Sequence, residues 1–322
     1  MRSAWMGVAL TLGIMSTPGL LPTAYAKTAS SEPERVGVVD AAIESLTGDV
    51  YAEPSRWRPL SLGTFFTEGW DQAWASPPTG EGGAPRQGWI GAQDGVFYRL
   101  WIATYGFARD FGGNGNQHTG TFQLYTPFSR RFELRYDLPM IVSNKGATDD
   151  YHTAAGDLAI VPRVILSESE NVTQSFAVAL QAPTGNAVNG RNVAAVTPAY
   201  EFWANVWQGL VVRGGASMFL PYGHDSFEGT GARNTFTGSL AAGYYTTPHD
   251  ATPFGDLVLY LAANLDVLTD NRGPSNTTTL RLAPGFRTHM GCNWYLLGAV
   301  DVPVTNPEPF DFQPTVGLMK VF

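Results

Sequence analysis

The sequence predicts an all-β protein: a transmembrane antiparallel β-barrel of about twelve strands, preceded by a mostly irregular N-terminal segment. Three observations carry this. Arg131 to Val142 alternates with period two, with Arg131, Glu133, Arg135 and Asp137 on one face and Phe132, Leu134, Tyr136, Leu138, Met140 and Val142 on the other. The stretch is long for a soluble strand, which runs about five or six residues, and suits a strand tilted across a bilayer, which needs about 9–11. The 322-residue chain is also poor in charge, 15% against about 25% in a typical soluble domain, and its only lysines are Lys27, Lys145 and Lys320.

Residues 1–26 read as a secretory signal peptide. Arg2 supplies the positive start, Met6 to Met15 the apolar run, and Ala24-Tyr25-Ala26 the small-x-small cleavage site. No run of 18 apolar residues follows, so no membrane-spanning helix is expected. The near-neutral mean hydropathy suits a barrel, whose alternating faces average out. Residues 27–95 are expected to form a periplasmic or lumen-plug segment. Val36 to Leu46 has the pattern of a short helix, while Pro77, Pro78 and Gly80–Gly83 break regular structure. Between them lie Phe65, Phe66, Trp70 and Trp74, too many aromatics to leave in water, so they are candidates for the plug.

Residues 96–322 carry the barrel. Candidate strands lie near 97–109, 117–128, 131–142, 156–168, 171–183, 197–208, 211–222, 234–246, 255–267, 277–288, 293–304 and 310–322. Connections near 129–130, 169–170 and 209–210 are tight, and those near 143–155, 184–196 and 223–233 are long. Short periplasmic turns and long external loops give that alternation, with Thr247 to Phe254 a longer turn than expected. Phe322, ending an amphipathic last strand, resembles the signal read by the barrel-assembly machinery, although Lys320 departs from it. Tyr98, Phe128, Phe132, Tyr222, Phe236, Trp294 and Phe310 are expected outside as interfacial girdles.

Parity assigns the lumen. Charges and large apolar groups fall on opposite faces, as with Asp157 and Arg163 against Leu158, Ile160 and Val164, and reversing a strand would put Arg into lipid at about 2–4 kcal/mol each. The lumen is thereby expected to receive Arg99, Arg109, Arg131, Arg135, Arg163, Arg213, Arg281 and Arg287, with Glu133, Asp137, Asp157, Glu201, Asp256, Asp266, Asp301 and Asp311. That balance implies a cross-linked interior, not a field selective for one sign of ion. The same parity turns Trp101, Tyr105, Phe107, Tyr125, Trp203, Trp207, Phe219, Tyr245, Tyr260 and Tyr295 inward, where aromatics beside arginines could grip an aromatic or apolar solute.

Other chemistries find little support. The net charge of −8 and the lack of a basic patch argue against nucleic acid as a partner. His118, His152, His224, His249 and His289 belong to no recognisable catalytic triad. No phosphate loop, zinc spacing or nucleotide fingerprint occurs, so no enzyme activity, cofactor or metal is expected. Asp149 and Asp150 read as a solvated loop, and Cys292 as a tolerated thiol near a turn.

Gly156-Asp157-Leu158 at a strand start, and an apolar strand from Phe176 closing in Pro183-Thr184-Gly185-Asn186, together resemble the outer-membrane family named after the meta pathway of phenol degradation. Asn186 stands where that family commonly has Asp, and the resemblance covers roughly 95–322. It implies a barrel that transports hydrophobic or aromatic compounds. Physically both motifs are strand-end devices. The expected function is passive passage of small hydrophobic or aromatic solutes across the bacterial outer membrane, with that membrane's lipids and lipopolysaccharide as surroundings. The competing readings are a structural or surface barrel serving adhesion or membrane integrity and, remotely, a lipid hydrolase.

Overall fold

The computed structural model describes residues 37–51, 56–79, 85–113, 115–145, 150–189, 191–223, 232–270 and 277–322. The signal segment, Asp149 and His224 lie outside them. One α-helix, α1 (Val38–Thr47), is followed by irregular chain and then by β1 (Leu100–Ala108), β2 (Gln117–Pro127), β3 (Phe132–Lys145), β4 (Tyr151–Ala154), β5 (Ala159–Glu168), β6 (Val172–Gln181), β7 (Ala194–Trp207), β8 (Leu210–Tyr222), β9 (Thr235–Tyr245), β10 (Gly255–Leu268), β11 (Thr278–Gly291), β12 (Trp294–Pro303) and β13 (Gln313–Val321). Neighbours in sequence pair antiparallel throughout, and β1 pairs with both β2 and β13, which closes a twelve-stranded barrel. The short β4 is the exception. It pairs only with the outer end of β3, so the long connection expected there contains a hairpin extension of the wall.

Closure leaves no open edge, as a sheet in hydrocarbon requires. The tight turns share one end of the barrel and the long loops the other. Two of the turns take their shape from positive backbone angles. Gln208 and Gly209 (φ 33° and 92°) join β7 to β8, and Cys292 and Asn293 (φ 50° and 59°) join β11 to β12. Cys292 is thus an exposed turn residue.

The outer wall is apolar between two aromatic belts. Leu240, Leu259, Leu261, Val300 and Val316 are among its exposed side chains. Trp207 and Tyr244 stand outside toward the turn end, Tyr222 and Phe236 toward the loop end. This is the surface a bilayer covers. Two expected girdle residues are elsewhere: Tyr98 and Phe310 are buried.

At the loop rim the two motifs meet. The Asp157 carboxylate accepts from the backbone N–H of Gly185 at 2.8 Å, Asn192 at 2.9 Å and Val193 at 3.0 Å. Thr184 donates its hydroxyl to the Gly156 carbonyl and accepts from the Leu158 N–H. A Cβ on Gly185 would come within 2.5 Å of the Arg191 Cβ, and one on Gly156 within 2.7 Å of the Pro139 Cβ. Both glycines are there because the chains touch. The motifs form one clasp that folds the 182–193 loop back onto the start of β5.

Replacing Leu240, exposed at the middle of β9 and midway between the two belts, by Arg puts a charge into hydrocarbon. Unfolding of the refolded protein in lipid vesicles should show a loss of about 2–4 kcal/mol, and an unchanged midpoint would contradict this placement of the outer wall.

Candidate functional site: a strap across the lumen

The chain between Pro85 and Arg99 runs inside the barrel. It rises from the turn end, reaches its tip at Ile90 to Ala92, level with Asn264 and Asp301, and descends into β1. Such irregular backbone is stable away from water only if its polar groups are satisfied, and here the wall satisfies them one by one. The Pro85 carbonyl accepts from the Tyr245 hydroxyl (3.0 Å), the Ile90 carbonyl from the Tyr260 hydroxyl (3.0 Å) and the Gly91 carbonyl from the Asn264 amide (2.9 Å). Glu133 accepts from the Tyr98 N–H at 2.7 Å.

Arg213 of β8 ties the two legs together. Its guanidinium donates to the carbonyls of Gln87 (2.8 Å) and Gln93 (3.1 Å), to the Asp94 carboxylate and to the Tyr98 hydroxyl. Its flat face lies 5.0 Å from the ring of Trp89, which stacks on Tyr260 at 4.7 Å. Arg163 of β5 adds a second clamp, donating to the Asp94 carbonyl while pairing with Glu133 and Glu201. Where the strap begins, Arg86 donates to the carbonyls of Ser169 and Glu170 and to Glu168 and Thr173, packed over Trp203. Trp89, Val96 and Tyr98 of the strap join wall residues Tyr125, Trp203, Tyr245, Tyr260 and Tyr295 in the largest hydrophobic cluster of the described residues. The apolar core of this protein is inside its barrel.

The strap divides the interior. A cavity of about 540 Å³ opens on the loop side with Trp89 to Asp94 as its floor, walled by Tyr125, Arg135, Glu201, Asn264, Arg281 and Asp301 among threonines and serines. A second, of about 700 Å³, lies on the turn side under Pro85, Arg86, Gln87, Phe97 and Tyr98. Arg135 pairs with Asp137, and Arg281 with Asp266 and Asp301, within the loop-side half.

The sequence-predicted residues divide accordingly. Tyr125, Glu133, Arg135, Asp137, Arg163, Glu201, Trp203, Arg213, Tyr260, Asp266, Arg281, Arg287 and Asp301 have the inward side of their strands, as do Tyr245 and Tyr295. Trp101, Tyr105 and Phe107 do not. In β1 the cavity is lined by Ile102, Thr104 and Gly106, and Tyr105 is exposed on the outer wall, with Trp101 against Trp294. Trp207 is likewise exposed. Arg99 sits below the lumen, donating to the carbonyls of Ser45 and Gly48 at the C-terminal end of α1, where a cation is favoured, and to that of Phe322. Arg99 also bonds Tyr51, whose phenol burial pushes well above its ordinary value. Arg109 pairs with Asp311 in solvent at the loop rim.

The proposed aromatic plug is corrected too. Phe65, Phe66 and Trp70 pack on one another at the turn end, Phe65 under Arg131, with Phe66 exposed. Trp74 is buried with Val50, Leu60, Phe97 and Ile165. The chain that enters the bore is the next stretch, Pro85 to Arg99.

No family model matches the sequence, and no curated protein does. Solved structures do resemble it. An outer membrane channel from Pseudomonas putida F1 superposes with a TM-score of 0.52 at 14% identity, covering 69% of this chain and 94% of that one. The KdgM porin gives 0.48 at 10% identity over 69% and 99% of the two chains, and the NanC porin 0.44 at 8% over 69% and 98%. At these identities the likeness to the Pseudomonas channel is one of fold.

Arg213→Met would strand Asp94 and two strap carbonyls, and breaking a buried pair costs about 3–5 kcal/mol. In a Cys292→Ser background, a reporter at Val96, fully buried in the strap, should read the release. Thiol labelling of Val96→Cys should accelerate by about a hundredfold or more when Arg213→Met is added, the factor those energies imply. Equal rates would show that the strap does not depend on Arg213.

Proposed function

We propose that this chain is an outer-membrane channel held shut by its own strap, passing small solutes passively when the strap is displaced. The observation that carries the reading is the pair of cavities, one on each side of the same short segment. The twelve-stranded barrel is wider than barrels filled by side chains alone and narrower than water-filled porins. With the strap in place its bore is closed by polypeptide; with the strap withdrawn the two cavities join. The tight turns and both ends of the barrel chain face the periplasm in this reading, and the long loops face outward. The chain is a conduit, and no catalytic role is assigned to it.

The solute class we assign is small and aromatic or largely apolar. The Gly-Asp and Pro-Thr-Gly motif resemblance supports this, as do the wall rings of Tyr125, which bonds Asp94 of the strap, and Tyr260, which stacks on Trp89 of the strap. The rings are engaged by the strap in the closed form and would be freed by its departure. A barrel serving only as structure would keep the strap permanently seated.

A tether separates the two. A Cβ added at Gly91 would stand 3.4 Å from that of Ala283 on β11, close to disulfide distance. Gly91 has φ 73°, so the substitution costs roughly 1–2 kcal/mol of backbone strain. In the Cys292→Ser background, Gly91→Cys/Ala283→Cys should be silent in a planar bilayer when oxidised and show openings when reduced, with uptake of aromatic solutes into vesicles following the same pattern. Silence in both states, with the barrel folded, would leave the structural reading.

A further inference from the structure

Among the described residues, the lumen arginines of the wall are paired, with one exception. Arg163 lies directly across the β3–β5 ladder from Glu133 and ion-pairs with it. Arg135 and Arg281 have aspartates within reach. Arg213 faces Trp203 and Ala241 across its two ladders and receives its carboxylate from the strap. Arg287 of β11 faces Val258 and Leu297. It is fully buried, and Nε, Nη1 and Nη2 have no hydrogen-bond partner. Asp256, near the turn end of β10, is occupied by His249 at 2.6 Å. Two residues along β11, the buried His289 also has its Nε2 unpartnered.

What Arg287 does have is two aromatic faces. The rings of Tyr245 and Tyr295 lie 5.4 and 5.2 Å from its Cζ. Cation–π contact stabilises the faces of a guanidinium and leaves its edge, a fork of N–H donors matched to a carboxylate, unused. Both tyrosines are held by the strap, Tyr245 through the Pro85 carbonyl (3.0 Å) and Tyr295 through the Gln87 amide (3.1 Å). Both also line the turn-side cavity. The segment that shuts the barrel therefore also fixes the two rings that enclose the unpaired guanidinium of Arg287.

We infer that Arg287 is a cryptic carboxylate-binding subsite, uncovered when the strap leaves, and that it selects small aromatic carboxylates, the anion on the guanidinium edge and the ring between Tyr245 and Tyr295. This deepens the channel reading and rests on it. A group that pairs with Arg287 only in the displaced state must, by linkage, favour displacement. The solute would thus help to open its own path, and a neutral analogue of the same shape would not.

The probe is sodium benzoate, compared with benzyl alcohol and with sodium chloride at equal ionic strength. The readout is thiol labelling of Val96→Cys in the Cys292→Ser protein. Benzoate should accelerate labelling saturably, by about tenfold, a typical size for such coupling, while the alcohol and chloride leave the rate unchanged. Arg287→Gln should abolish the benzoate effect. Arg287→Met, which removes the unpaired charge without adding a polar group, should do the same and keep the barrel folded. Acceleration that survives in both variants, or none in the parent protein, overturns the inference. That result leaves the channel reading to the tethered protein's conductance, which does not involve Arg287.

Discussion

Every backbone N–H and C=O that leaves water must find a partner, and this one demand shapes both layers of the molecule. On the outside it is met by closure: twelve strands, each paired on both sides, with β1 joining β13. On the inside it is met residue by residue, because the strap has no ladder to join. Arg213, Arg163, Asn264, Tyr245 and Tyr260 stand in for a neighbouring strand, each aimed at a strap carbonyl. Lumen side chains that look like the lining of a pore are thus the hydrogen-bond partners of an enclosed peptide.

The demand also explains the unequal environments of the arginines. A buried guanidinium is tolerated when carboxylates or carbonyls take its protons, and is costly otherwise. Arg163, between two glutamates and a strap carbonyl, is a fixed part of the wall. Arg213 is paired only while Asp94 is present, so its energetics and the strap's position are a single quantity. Arg287 is compensated by ring faces alone. Three arginines of one lumen thus differ in how far they depend on the strap.

The barrel was legible in the sequence because its signal is redundant. Each strand repeats the period-two pattern, and a reversed register would place charges in lipid; the ends of all twelve strands fall within about three residues of those expected from alternation and turn residues. Inward placement failed in β1 for a specific reason. Leu100 to Ala108 holds no charged residue, so its parity is marked only by Arg99 and Arg109, which lie beyond the strand at either end and serve the α1 terminus and the loop rim instead. The strap is not legible in the sequence because an enclosed irregular segment has no period. Its aromatic density is lower than that of 60–74, a stretch that belongs under the turns. Arg213 has no acid directly across either ladder once the register is known, which leaves it open to a counter-charge from outside the wall, and Asp94, which supplies it, precedes the first strand. The Gly156–Asp157 and Pro183–Asn186 motifs were legible as strand ends, but not as halves of one clasp, since their contact depends on the path of a loop.

Barrel size gives the strap its reason. In an eight-stranded barrel inward side chains meet across the axis and fill the bore. Twelve strands put opposite walls too far apart for that, and the inward threonines, serines and alanines of the loop-side half are too short to reach. Such a bore either holds water or holds chain. A chain inserted from the turn end must be aromatic enough to pack and polar enough to be held, which describes Arg86 to Tyr98: Trp89, Phe97 and Tyr98 for volume, Gln87, Asp94 and the peptide carbonyls for attachment. Because those attachments converge on a few guanidiniums instead of a continuous ladder, they can be lost together. In the channel reading, an irregular strap clamped at discrete points is a closure that could be released as a unit, whereas a thirteenth strand paired along its length would have been part of the wall.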